Sequence, residues 1–184
     1  MNALVPVFLA ILLAETGGKM QAMAHGMALA GLSLGRVLAM VLVIALIVFG
    51  VSAAAGVLMA GLMPPDGRRL FFALSLLFAG VPMLWQRASH AVPDRANWSA
   101  VPRLAIQMAT DAGPFIVLAA AAYTASPALA ASAAVAGVLV QGLVPALLGT
   151  DWPGAFPLRL ARLGAAVLLI LGGLWSVINA LRIV

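Results

Sequence analysis

Glu15 and Asp111 are the residues most able to do chemistry in this chain. Glu15 lies in Leu13-Ala14-Glu15-Thr16-Gly17-Gly18-Lys19-Met20-Gln21, inside an otherwise apolar first helix, and Asp111 lies in Met108-Ala109-Thr110-Asp111-Ala112-Gly113-Pro114 in the second half of the chain. A carboxylate in a helix meant for lipid costs about 2.5–3.5 kcal/mol on insertion scales. Each acid is followed two positions later by a glycine, Gly17 or Gly113. The pair therefore reads as one site built twice.

The surrounding groups are hard oxygens. Two carboxylates, the hydroxyls of Thr16 and Thr110 and the Gln107 amide, four residues before Asp111, form a set suited to Ca²⁺, Mg²⁺ or Mn²⁺. Pro114 has no N–H, which predicts a Thr110 carbonyl freed of its helical partner beside Asp111. Gly17 and Gly18 predict a weakened helix and the close approach of another backbone. Lys19 is spaced i, i+4 from Glu15 and is the expected counter-ion. That spacing equally fits an ordinary ion pair inside a helix bundle, without any transport role. His25 reads as an interfacial histidine, and His90 has no histidine or acid at ligand spacing. Among polar residues within spans, Gln141 is the candidate for more than a helix–helix hydrogen bond. Trp85, Trp98, Trp152 and Trp175 read as an aromatic belt, and the methionines as packing. No nucleophile motif, phosphate loop or metalloprotease string is present, so enzymatic chemistry and a bound cofactor are not expected.

The elements that must hold these residues follow from hydropathy. The 184 residues are 65% hydrophobic and only 8% charged, against about 25% charged in soluble domains. An all-α integral membrane protein is the expectation. Cysteine is absent, which excludes disulfides and thiolate metal sites. The net charge of +5 reads as topology signals rather than a nucleic-acid footprint. Residues 1–30 read as a retained helix rather than a signal peptide. Six spans are predicted, from Ala3 to Met27, Arg36 to Leu62, Arg69 to Trp85, Pro102 to Tyr123, Pro127 to Leu148 and Pro157 to Leu181. Residues 86–101 form the linker between a first three-helix repeat, 1–85, and a second, 102–184. Three spans per half make the second copy enter from the opposite face, an inverted repeat with its site near the midplane. Arg36, Arg87, Arg95, Arg103, Arg159 and Arg162 flank one side, and Arg68, Arg69 and Arg182 the other. This bias predicts a cytoplasmic linker and termini outside. The alanine-rich composition points to the inner membrane of a bacterium, and a homodimer is compatible with such a chain.

Ala14-Glu15-Thr16-Gly17-Gly18-Lys19-Met20-Gln21 resembles the A-E-x-G-D-K-[TS]-Q signature of the Gdt-type family of Golgi and bacterial calcium/manganese transporters, in the LysE superfamily. That family has two three-helix repeats with a signature on spans one and four and a central cytoplasmic linker, so the resemblance covers the whole chain. It implies that the signature acids bind a cation exchanged for protons. By position, Glu15, Gly17 and Lys19 match the first signature, while Gly18 stands at its aspartate and Met20 at its hydroxyl residue. Asp111 and Gly113 match the glutamate and glycine of the second, with Pro114 at its aspartate. An alternative alignment pairs Asp111 with the second acid and puts Met108 at the glutamate.

The expected function is a secondary transporter that exports a divalent cation, Mn²⁺ or Ca²⁺, as substrate in exchange for protons. A LysE-superfamily carrier of another small solute is the alternative within transport. A degenerate, non-transporting membrane subunit is the alternative from another class.

Overall fold

The computed structural model describes residues 4–85, 101–152 and 157–181, with only the backbone of Arg103 and Thr150. Arg87, His90, Arg95, Trp98, Arg182 and nearly all of the expected 86–101 linker lie outside the described residues. The described residues are mostly helical, and no strand occurs among them. In chain order the helices are α1 (Leu4–Ala14), α2 (Lys19–Leu29), α3 (Leu34–Leu62), α4 (Pro65–Met83), α5 (Val101–Ala109), α6 (Ala112–Thr124), α7 (Pro127–Leu148) and α8 (Leu158–Ala180), with a 3-10 turn at Gly149–Asp151.

Three of these helices, α3, α7 and α8, are long and apolar enough to cross a membrane. The pair α1–α2 makes a fourth if it counts as one span bent by 65° at a short break. The apolar helices mark a membrane protein with several spans. In the first turns of α4, Asp66, Arg68 and Arg69 interrupt the apolar run, and α6 is a shorter apolar helix.

The predicted bounds of the second, third, fifth and sixth spans fall within a few residues of α3, α4, α7 and α8. The first and fourth were expected as continuous helices, and both are broken beside their acids. Gly17 sits at φ +66°, a left-handed conformation that ends α1, and Gly18 is extended before α2. In the second break Asp111 is extended, at φ −94° and ψ 174°, and caps α6 by accepting a hydrogen bond from Ala112 N at 3.0 Å. Pro114 therefore does not free the Thr110 carbonyl by kinking a helix. It lies in the first turn of α6, where a missing N–H costs nothing.

Glycines set how the helices meet. A Cβ on Gly80 of α4 would press on Ala166, Leu169 and Ile170 of α8, and one on Gly173 of α8 would press on Leu77 and the Ala73 carbonyl of α4. These crossed contacts make α4 and α8 antiparallel close neighbours. On α7, Gly137 lies against Phe8 and Ile11 of α1, and Gln141 bonds to Leu12, one turn further along both helices. Hence α1 and α7 run parallel. Phe49 of α3 faces Gly113 of α6, and Gly56 faces Leu118 and Ala121, so α3 and α6 also run parallel. Val41 near the start of α3 meets Gly142 of α7. Phe49, Met20, Met23, Met27, Met40 and Ile44 fill the centre, each almost wholly buried. Trp85 and Trp175 are exposed as an aromatic belt requires, but Trp152 is buried.

Candidate functional site

The Glu15 side chain is 1% exposed, and its Oε1 has no hydrogen-bond partner among the described residues. It occupies the junction of the two helix breaks. A Cβ on Gly113, in the first turn of α6, would stand 2.7 Å from Oε1, and a Cβ on Gly18, the N-cap of α2, would stand 3.1 Å from Oε2. A side chain at Gly113 would displace the carboxyl group, and one at Gly18 would crowd both the carboxyl group and the Glu15 carbonyl, at 3.0 Å. The carboxyl thus rests against the N-terminal ends of two half-helices, where unsatisfied N–H groups and the helix dipole favour negative charge.

The first break is braced from two other helices. The Gln141 side-chain amide of α7 donates to the Leu12 carbonyl and to Thr16 Oγ1 (3.1 Å), and its oxygen accepts from the Gln21 amide of α2. The Gln21 oxygen accepts from Gly17 N at 2.8 Å, and Thr16 Oγ1 donates to Leu12 O at 2.8 Å. Arg162 of α8 donates from Nη1 to the Gly17 carbonyl at 2.6 Å. Backbone groups exposed by leaving the helix are thereby satisfied inside the protein, as lipid surroundings demand.

Lys19 does not pair with Glu15: no ion pair within 4.0 Å joins them among the described residues. Its ammonium crosses to the end of α5, donating to Thr110 Oγ1 at 3.1 Å and the Gln107 carbonyl at 3.4 Å. A cation is favoured there because the last carbonyls of a helix lack internal partners. Thr110 Oγ1 also donates to Gln107 O at 2.9 Å. The two hydroxyls expected to face a cation are therefore engaged in bracing the breaks, and Gln107 enters through its backbone oxygen.

Asp111 lines a cleft of about 290 Å³ between α1, α4, α6 and α8, together with Ala14, Gly18, Thr110, Phe115 and Arg162. Its charge acts on both Glu15 and Arg162. Glu15 and Asp111 thus belong to one electrostatic unit, although no group of three or more acids, histidines or cysteines able to hold a metal occurs among the described residues. A second cleft of about 530 Å³ lies between the same four helices at their other ends, lined by Val7, Arg69, Phe72, Tyr123, Thr124 and Trp175 among others.

Arg162 was counted in the sequence only as a topology signal, yet it is 8% exposed and belongs to the site. Its signal was depth: it lies one turn beyond Arg159 in an apolar helix, too far in for a terminal basic residue. Gln141 does more than join two helices, because it braces the first break. His25 is half-buried, and its Nδ1 has no hydrogen-bond partner among the described residues.

Comparison with protein-family models, curated proteins and solved structures gives no match.

Proposed function

We propose that this chain is a secondary transporter that moves a divalent cation, Mn²⁺ or Ca²⁺, out of the cell in exchange for protons. The observation that carries the reading is the buried, unpartnered Glu15 carboxyl oxygen at the meeting point of two broken helices, with Asp111 at the second break. Broken helices with ionisable groups at their inner ends are how membrane carriers build substrate sites. An intramembrane acid without a partner is costly unless it has a task. Glu15 and Asp111 are the proposed cation ligands, helped by carbonyl oxygens at the breaks. Lys19 and Arg162 hold the broken ends.

The six-span, inverted-repeat architecture belongs to the same proposal. Its support is directional: strictly alternating spans make one and five parallel, two and four parallel, and two and five as well as three and six antiparallel. The contacts of α1–α7, α3–α6 and α4–α8 have these directions. The proposed orientation puts the linker in the cytoplasm, on the basis of the arginine asymmetry. The resemblance of residues 14–21 to the Gdt-type signature supports the choice of cation.

A second reading is favoured by Arg162. A guanidinium lining the cleft together with Asp111 matches a zwitterionic organic solute, whose anionic end would meet Arg162 and whose ammonium would meet Asp111.

Purified protein in proteoliposomes, with acid inside, tests both. The expected result is accumulation of Mn²⁺ or Ca²⁺, abolished by Glu15→Gln and by Asp111→Asn. The double variant should be little worse than either, because both residues serve one site. Flux of amino acids without flux of Ca²⁺, Mn²⁺ or Mg²⁺ would select the second reading. No flux of either kind from well-folded protein would leave a non-transporting subunit.

A further inference from the structure

Among the described residues, Arg162 donates to the Gly17 carbonyl and its buried Nε has no partner. A buried guanidinium with unused donors is an expensive way to hold one carbonyl, which an uncharged amide could also hold. Its surroundings supply a second task. Arg162 lines the cleft with Asp111, and no ion pair within 4.0 Å joins them. Lys19, the other cation of the site, is committed to the end of α5 through Thr110 and Gln107.

We infer that Arg162 is the carrier's own counter-charge, a guanidinium that turns to Asp111 when the transported cation leaves and so lets the cation-free protein change its access. This inference rests on the divalent-cation reading. When the cation departs, the exchanged proton neutralises one carboxyl group and leaves the other charged in surroundings of low dielectric. Reorienting that charge uncompensated is opposed by its desolvation. Arginine stays protonated and presents five donors in a fixed fork, so one N–H can stay on Gly17 while others reach a carboxylate. A cation-loaded carrier needs no such help. The role therefore belongs to one half of the cycle.

That asymmetry gives the test. Exchange of labelled for unlabelled Mn²⁺ across proteoliposomes uses only the cation-loaded form, whereas net Mn²⁺ flux against protons also needs the cation-free form to return. In Arg162→Gln, net flux should fall by about tenfold or more, the loss expected for a charge-assisted hydrogen bond. Exchange should fall far less than net flux, because a glutamine amide also serves the Gly17 carbonyl, and Arg162→Lys should retain most of the net flux. The chain has no cysteine, so Arg162→Cys carries a single thiol. Converting that thiol to an aminoethyl disulfide should restore net flux, and converting it to a methyl disulfide should not. Both adducts come from one folded preparation, so a folding defect cannot mimic the result.

A parallel fall of exchange and net flux, or equal rescue by both adducts, would show that Arg162 only braces Gly17 and would overturn the inference. Unaltered net flux in Arg162→Gln would overturn it as well. If the parent protein shows neither exchange nor net flux of any divalent cation, the transport reading itself fails, and this inference with it.

Discussion

Gly113 decides how close the Glu15 carboxyl can come to the start of α6. A methyl group there would stand 2.7 Å from Oε1 and 3.4 Å from the Phe49 ring, so the carboxyl group has to move aside. Gly113→Ala should cost about 1–3 kcal/mol, the usual penalty of overpacking a filled interior. It should also lower cation flux, because it pushes Glu15 away from the second break. Gly164 on α8 is the control, since a Cβ there meets nothing within 4 Å. Gly164→Ala should be neutral or slightly stabilising. Thermal unfolding in detergent, together with proteoliposome flux, checks both variants. An unperturbed Gly113→Ala would mean that the carboxyl is free to sit elsewhere.

The break between α1 and α2 persists because other helices supply what the backbone lost. Gln141 carries much of that load, bonding to the Leu12 carbonyl, Thr16 and Gln21 from α7. Gln141→Leu keeps the volume but strands the Gln21 amide, while the Leu12 carbonyl keeps the Thr16 hydroxyl, and about 1–3 kcal/mol of destabilisation follows. Chemical unfolding in detergent measures it; an unchanged midpoint would show that water or lipid headgroups replace the amide. The sequence made the ends of α3, α7 and α8 legible, because long apolar runs bounded by proline, serine or glycine admit few alternatives. It also marked Glu15, Asp111 and the glycines beside them. It did not reveal that both acid-bearing helices stop. Hydropathy reads straight across a break of a few residues, and the N-capping of Asp111 looks from sequence like an acid in mid-helix. Lys19 was misread for a related reason: an i, i+4 spacing has meaning only along an unbroken helix, and Gly17 and Gly18 interrupt it. The reach of Arg162 to Gly17 spans most of the chain, so no local pattern could disclose it.

Over the whole molecule, the parallel and antiparallel contacts place the ends of α1, α4, α6 and α8 around two clefts, one toward each end of the same four helices. Val7 borders one and Ala14 the other, so along α1 they are separated by about 10 Å of helix. That thinness has an electrical consequence. Water entering both clefts would short-circuit the outer parts of the bilayer and concentrate the membrane voltage across the narrow segment from Val7 to Ala14. A charge crossing only that segment would then feel nearly the whole potential, worth about 2.3 kcal/mol per elementary charge per 100 mV. Cation flux carrying net charge should accordingly respond steeply to an imposed potassium diffusion potential, and a flux indifferent to voltage would mean either compensated charge or a dry cleft. A chain of this size would thereby act as a capacitor with a very thin dielectric, drawing on the cell's voltage within a few ångströms of Glu15.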